Sequence, residues 1–159
     1  MRMGEGVEWG IHCCLTIAWL EDRGPISTAR LAQWFDLPQQ YLKKRLQALV
    51  RAEILTSIPG ARGGFELARR PARITLMDVV TAIEGPDEAF RCTEIRRDGV
   101  GTTAPSTRFA KPCGVSTAMR KADLAWRREL AAQTIADLMA QTPDSTVEWT
   151  RRTYAQLTV

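Results

Sequence analysis

Apolar residues at helical spacing predict a first helix over residues 7–20. At about 100° per residue, five of its apolar side chains fall on one face, which we expect to be buried. These are Val7, Ile11, Cys14, Leu15 and Ala18. Gly24 and Pro25 then end the helical pattern, because glycine and proline are strong breakers of regular structure.

Two further helices are predicted, joined by a short turn. Ser27 is suited to cap a short helix over residues 28–35, and Pro38 introduces a third helix over residues 39–53. The apolar stripe of the third helix consists of Leu42, Leu46, Leu49 and Val50. Its other faces are polar or basic. A helix pair of this kind, with a basic second helix, is typical of the helix-turn-helix of DNA-binding proteins.

A β-hairpin is predicted directly after the third helix. Residues 54–58 and 65–67 have strand-like composition, and residues 59–64 between them are rich in glycine and carry Arg62. Glycines let such a tip approach a phosphate backbone closely, and an arginine there can enter a minor groove. We therefore interpret the hairpin as the wing of a winged helix-turn-helix.

The second half of the chain begins with a short helix and a long loop. Thr75 and Asp78 have the spacing of a capping box, and the helix that they begin is predicted to end near Gly85. Residues 86–114 are rich in glycine, threonine, proline and charge, which predicts a loop without regular structure. Cys92 and Cys113 bracket this loop.

A long helix is predicted over residues 115–139, with a length of about 35 Å. Apolar residues lie along two of its sides, and a second copy of the chain is the simplest cover for them. Pro143 ends this helix, and Asp144 or Ser145 could cap a last one. That helix carries Trp149 and Tyr154, and we interpret it as an arm that docks on the partner subunit.

The net charge of +4 is concentrated in the first half of the chain. Residues 1–75 carry 11 Lys+Arg and 7 Asp+Glu, whereas residues 76–159 carry 11 of each. Residues 38–73 alone carry eight basic and two acidic side chains. A basic stretch in an otherwise balanced chain favours a polyanionic partner such as nucleic acid.

The composition, with 45% hydrophobic and 25% charged residues, is that of a globular protein. No apolar run approaches the ~20 residues needed to cross a bilayer, and the N-terminus lacks the apolar stretch of a secretory signal. We therefore expect a cytoplasmic protein whose four cysteines are free, reactive or metal-bound. A single histidine, with no phosphate-binding loop or nucleophile motif, argues against an enzyme.

Residues 26–84 resemble the IscR/NsrR family of winged-helix regulators, bacterial repressors that often sense through an iron–sulfur cluster. The matching segments are residues 27–32, 41–44, 60–68, 74–80 and 82–85, with Leu46 and Leu49. The resemblance implies a mainly α fold with a small β-hairpin wing: a winged helix-turn-helix, a long dimerisation helix and a C-terminal arm. The predicted divisions are residues 1–73 for DNA binding, 74–114 for the short helix and cluster-binding loop, and 115–159 for dimerisation and the arm.

A regulator of this kind would bind double-stranded operator DNA as a homodimer. Residues at the starts of the second and third helices and in the wing are the predicted DNA contacts. They are Ser27, Thr28, Gln39, Gln40, Tyr41, Lys43, Lys44, Arg62, Gly63 and Gly64.

The cysteines depart from the general family pattern, in which the loop holds three closely spaced cysteines. Here the loop has only Cys92 and Cys113, while Glu8 and His12 lie one turn apart on the first helix. From spacing alone, such a pair is more often an ordinary helix-face pair than a set of ligands. The other two cysteines, Cys13 and Cys14, are also on this helix, and we assign them no redox role.

The set resembles that of the RsrR-like members of the family. In these a 2Fe–2S cluster is held by two loop cysteines of one subunit and by a glutamate and a histidine of the other. The resemblance implies Glu8, His12, Cys92 and Cys113 as the cluster ligands and Trp9 as a gating residue. Imidazole in place of thiolate raises the reduction potential of such a cluster.

Three alternatives remain open from the sequence. The same Cys2HisGlu set could hold zinc. A cluster-free winged-helix repressor could sense a small molecule or a thiol oxidant through Cys92 and Cys113. A zinc-stabilised interaction module would bind no DNA.

Overall fold

The computed structural model of the chain describes residues 3–157, apart from the side chain of Ser106. These residues form two compact units, one that runs to Pro86 and resumes at Leu130, and one that comprises residues 87–129. The elements are α1 (Glu5–Trp19), α2 (Thr28–Phe35), α3 (Gln39–Arg51), β1 (Leu55–Ile58), β2 (Gly64–Leu67), α4 (Leu76–Glu84), α5 (Gly114–Ala131), α6 (Ile135–Gln141) and α7 (Asp144–Tyr154).

Helix α1 is the centre of the larger unit. It packs against α3, α4, β2, α6 and α7, so it is buried on more than the one face that the sequence predicts. Residues 13–18 are all buried, including Thr16 and Ile17, which lie outside the predicted face. The prediction was incomplete because a helix surrounded by several elements needs apolar or small side chains on each side.

The helix-turn-helix prediction is confirmed. The hydroxyl of Ser27 accepts a hydrogen bond from the backbone N–H of Arg30 (3.2 Å) and so caps α2. Asp36, with a φ of 52°, turns the chain into α3. The stripe of Leu42, Leu46 and Leu49 is fully buried, as predicted.

The wing is an antiparallel hairpin in which Leu55 pairs with Leu67 and Ile58 with Gly64. Its second strand also pairs with Ile26, immediately before α2, through two backbone hydrogen bonds to Phe65 of 2.9 and 3.0 Å. A β-carbon on Gly64 would lie 2.4 Å from the carbonyl carbon of Ile26. Glycine is therefore required at position 64 for the wing to join α2.

The predicted capping box of α4 is confirmed, but the predicted continuous helix over residues 115–139 is wrong. Thr134 and Asp137 form a second capping box that starts α6 as a separate helix. Residues 133–135 leave the helical path because they hydrogen-bond to residues 74–76: Leu76 N–H to Gln133 and Ile135 N–H to Ile74, each at 2.9 Å.

Helix α7 docks on its own chain, which corrects the expectation that it docks on a partner subunit. The side chains of Thr150 and Tyr154 are buried, and the Trp149 ring lies 5.4 Å from that of Trp34 in α2. Arg151 Nε donates to the carbonyl of Trp19 at 2.9 Å. The helix starts directly after Pro143, so neither Asp144 nor Ser145 is the cap.

The smaller unit contains α5 and the segment before it, which is less irregular than predicted. Short 3₁₀ turns occupy Ile95–Arg97, Gly99–Thr103 and Ser106–Phe109. On α5, apolar Val115, Met119 and Leu124 are exposed within the single chain. Across residues 3–157, none of the helices has the length and apolar character that spanning a membrane requires.

Candidate DNA interface and metal ligands

The start of α3 exposes the polar side chains that the sequence predicts as DNA contacts. They are Gln39, Gln40, Tyr41, Lys43 and Lys44. Tyr41 is 62% exposed, and Lys44 Nζ lies 5.8 Å from the centre of its ring. The buried leucine stripe anchors the opposite side of the helix, so α3 presents this surface to solvent with a fixed orientation.

A polar groove of about 520 Å³ joins the wing tip to the start of α2. It brings together the predicted residues Ser27, Arg62 and Gly63, although the Ser27 hydroxyl is already engaged as the helix cap. Arg30 and Tyr154 line the same groove and were not among the predicted DNA contacts. Arg30 lies one turn after the helix cap, and this position near the start of α2 is a local signal for a DNA contact. No sequence pattern links Arg30 to Tyr154.

Glu8 and His12 are exposed side by side on α1. Both line a groove of about 430 Å³ with Val7 and Ile11, and both line a smaller one with Trp9. Neither the carboxylate nor the imidazole makes a hydrogen bond or ion pair with any residue in the described range 3–157. The nearest ring to His12 is that of Phe35, at 5.9 Å between centroids. The two side chains are therefore available as ligands.

Cys13 and Cys14 are fully buried in the core, as expected for cysteines without a ligand role. Burial raises the pKa of both thiols, that of Cys14 to about 12. Both therefore stay protonated near neutral pH, and a protonated thiol is neither a good nucleophile nor a metal ligand.

Cys92 and Cys113 lie in the smaller unit, where Cys92 is exposed and Cys113 is half-buried directly before α5. The backbone N–H of Ser116 is the main cause that lowers the pKa of Cys113, with smaller contributions from Val115 and Arg96. Arg96 donates to Glu94 and to the carbonyl of Lys111. The pKa of Arg96 is raised chiefly by Glu94 and slightly by both sulfurs, so one guanidinium lies near both thiols.

Comparison with known proteins identifies the family. The model of the Rrf2 family, described as an iron-dependent transcriptional regulator, matches residues 3–141. The chain belongs to the Rrf2 family of transcriptional regulators. The resemblance to IscR-type regulators is confirmed, and so is the prediction that the protein is not an enzyme.

Individual Rrf2-family relatives agree over most of the chain. Protein rrf2 of Nitratidesulfovibrio vulgaris is 30% identical over 139 residues, which is 87% of each chain. The solved structure of CymR, the global cysteine regulator of B. subtilis, has a TM-score of 0.67 at 24% identity and covers 90% of this chain and 99% of its own. IscR of T. potens has a TM-score of 0.67 at 19% identity, with coverage of 91% and 90%. These structures share the winged-helix fold.

Two thiols and one imidazole of this Rrf2-family chain are of the types that bind iron in 2Fe–2S proteins, but a single chain does not bring them together among its described residues. Within residues 3–157 of a single chain, no three His, Cys, Asp or Glu side chains lie together as metal ligands. One unit offers two accessible thiols, and the other offers a carboxylate and an imidazole. Thiolate and imidazole are the established ligands of iron in 2Fe–2S proteins.

Proposed function

We propose that this Rrf2-family chain is a dimeric transcriptional repressor that binds operator DNA and responds to redox state through a 2Fe–2S cluster. Membership of a family of DNA-binding transcriptional regulators carries the first part. The availability of Glu8 and His12, exposed together and without partners among the described residues, carries the second.

The DNA-binding part of the proposal rests on α3 and the wing. The exposed glutamines, tyrosine and lysines at the start of α3 would contact base edges and phosphates in the major groove. Arg62 would reach the backbone or minor groove from the wing. Two such modules in a dimer would read half-sites about one helical turn, or a multiple of one turn, apart.

The cluster would be held by Cys92 and Cys113 of one subunit and by Glu8 and His12 of the other. The buried and protonated Cys13 and Cys14 are unsuited to it. When bound, the cluster would supply one-electron redox chemistry, and its imidazole ligand would raise its potential.

Helix α1 would connect the ligands to the DNA-binding surface. It packs on α3, and Arg45 of α3 lies against Gly6, two residues before Glu8. A shift of the first turns of α1 would therefore act on α3 directly. Trp9 lies between the two ligands in sequence and shares a groove with them, so we assign it the control of solvent access.

Anaerobic purification tests the cluster. We expect a coloured protein with equal iron and sulfide per chain, a spectrum that changes with dithionite, and redox-dependent affinity for an operator selected from randomised duplexes. His12→Ala, Glu8→Gln and Cys92→Ser should lose or alter the spectrum. Glu5→Gln, a change of an exposed carboxylate on the same helix, should not. Trp9→Ala should keep the cluster but weaken the redox dependence of DNA binding.

Colourless protein without iron and sulfide after anaerobic handling would overturn cluster sensing, and stoichiometric zinc would support the zinc-bound alternative.

The sharing of ligands between subunits has its own test, in heterodimers of two variants. One subunit carries Glu8→Gln and His12→Ala, and the other carries Cys92→Ser and Cys113→Ser. Shared ligands leave one intact site and half of the iron, whereas ligands from a single subunit leave none.

A further inference from the structure

Three arginines and the start of a helix surround the groove between the wing, α2 and α7. We call it the arginine groove and define it by Arg23, Ser27, Arg30, Arg62, Gly63 and Tyr154. It has a volume of about 520 Å³, and none of the described residues that line it is acidic. The N-terminal amides of α2 add partial positive charge, because the backbone dipoles of a helix leave its N-terminus positive.

Tyr154 fixes the position of Arg30 in this groove. Tyr154 is 5% exposed, and the guanidinium carbon of Arg30 lies 5.1 Å from the centre of its ring. Tyr154 in turn is held by α7, whose Thr150 is buried and whose Arg151 donates to the carbonyl of Trp19. A guanidinium stacked on a ring keeps its N–H groups free at its edge, where they can bind an anion.

The positive charges of these arginines are largely unpaired within the described chain. The guanidinium groups of Arg30 and Arg62 make no hydrogen bond or ion pair with any side chain or carbonyl in the part of the chain that the structure describes. Arg23 has an ion pair of 3.6 Å with Asp22, and both side chains are about half exposed. Exposed ion pairs of this kind contribute little to stability.

The ligand chemistry that fits is a phosphate group. Its oxygens match the planar N–H groups of arginine, and its charge is favoured at a helix N-terminus. The groove also connects the wing tip to the start of the helix-turn-helix, so an anion bound there belongs to a molecule that reaches both. When α3 lies in the major groove of DNA, a phosphate of the adjacent duplex backbone meets that requirement.

We propose that the arginine groove binds a backbone phosphate of duplex DNA, that Arg30 contacts this phosphate, and that Tyr154 of α7 positions Arg30. The inference rests on the DNA binding proposed above. It makes the C-terminal helix, which lies outside the residues matched by the family model, part of the DNA-binding surface.

The salt dependence of binding to a duplex of random sequence tests this, because phosphate contacts do not depend on sequence. Arg30→Gln should weaken binding and reduce the slope of log K against log salt by about 1. Tyr154→Leu should reduce the slope in the same way and should add nothing to Arg30→Gln. Tyr154→Phe, which keeps the ring face, should bind like the wild type.

Arg152→Gln is the matched control. Like Arg30→Gln, it removes one positive charge, but this charge lies on α7. Arg152 is exposed and lies about 200° around the helix from Tyr154. Thermal unfolding of every variant separates loss of folding from loss of contact. A folded Arg30→Gln protein with the wild-type slope would overturn this inference and leave the proposed function standing. Wild-type protein whose affinity is independent of salt would instead contradict the proposed DNA binding itself.

Discussion

At the scale of single residues, two glycines let α1 lie close to its neighbours. A β-carbon on Gly6 would lie 2.6 Å from Nε of Arg45, and one on Gly10 would lie 2.5 Å from Cδ1 of Ile83. Both glycines are buried, Gly6 in the first turn of α1 and Gly10 in its interior, where glycine is normally unfavourable. The close approach of α3 and α4 explains why they are there.

Gly10→Ala should therefore destabilise the protein. The extra methyl group meets Ile83 and, at 3.2 Å, Val79 in a packed interface, and overpacking of this kind costs about 1–3 kcal/mol. The higher helix propensity of alanine offsets about 1 kcal/mol of this cost at most. We expect a lower urea midpoint for unfolding, monitored by circular dichroism.

Gly114→Ala is the control for this prediction, because a β-carbon there meets nothing within 4 Å. Its midpoint should be unchanged or slightly higher. A wild-type midpoint for Gly10→Ala would show that α1 and α4 can separate without cost.

At the scale of elements, one carboxylate joins α5 to the segment that precedes it. The side chain of Asp123 is 5% exposed, pairs with Nε of Arg127 at 2.7 Å and accepts the backbone N–H of Ala89 at 3.4 Å. Arg127 also donates to the carbonyl of Asp87 at 2.5 Å. The start of the loop that carries Cys92 is thereby attached to the helix that begins after Cys113.

This attachment should depend on pH. The hydrogen bond from Arg127 lowers the pKa of Asp123, with a further contribution from Ala89. A lowered folded-state pKa stabilises the fold at pH values above the ordinary value near 3.9, and the stabilisation is lost as the pH falls through the lowered pKa. We expect the protection factor of the Ala89 amide in hydrogen exchange to fall in that acid range.

Asp123→Asn should lower the Ala89 protection factor already at neutral pH and remove its acid dependence. Asp98→Asn, a change of an exposed aspartate in the same unit, should leave it unchanged. Full protection of Ala89 in Asp123→Asn at pH 7 would contradict a role for the carboxylate.

At the scale of the whole molecule, helices α6 and α7 complete the core of the larger unit. α6 and α7 pack on α1, so the central helix is covered by elements that are more than a hundred residues away in sequence. The ring of Tyr154 joins the same core as α1 and α3. The C-terminal helix is thus part of the core of the DNA-binding unit.

Ending the chain at Thr142 should destabilise the larger unit by about 3–5 kcal/mol, the range for loss of a large buried aromatic side chain. It should also change the tryptophan fluorescence, because Trp149 is removed and Trp34 loses its contact with that ring. DNA affinity should fall at least to that of Arg30→Gln. Glu148→Ala, an exposed change on α7, serves as control. An unchanged unfolding midpoint for the shortened chain would show that α7 contributes nothing to the core.

Several features of the site follow from local signals in the sequence. The cap at Ser27, the leucine stripe of α3 and the exposed pair Glu8 and His12 depend on residues within one or two helical turns of each other. The burial of Cys14 follows in the same way, whereas Cys13 is buried although it lies outside the predicted apolar face. Periodicity and capping report such short-range geometry, which is why the predictions of the Ser27 cap, the leucine stripe and the buried Cys14 were confirmed.

The sequence by itself determined the helix-turn-helix, the wing, the family and the candidate ligands. The tertiary structure alone decided where the predicted long helix breaks, where α7 docks and which residue holds Arg30. Thr134 ends the helical path because it pairs with Thr75, and Tyr154 meets Arg30 because α7 folds back over α1. Such contacts depend on how whole elements pack, and the hydrophobic periodicity of the contacting segments does not predict them.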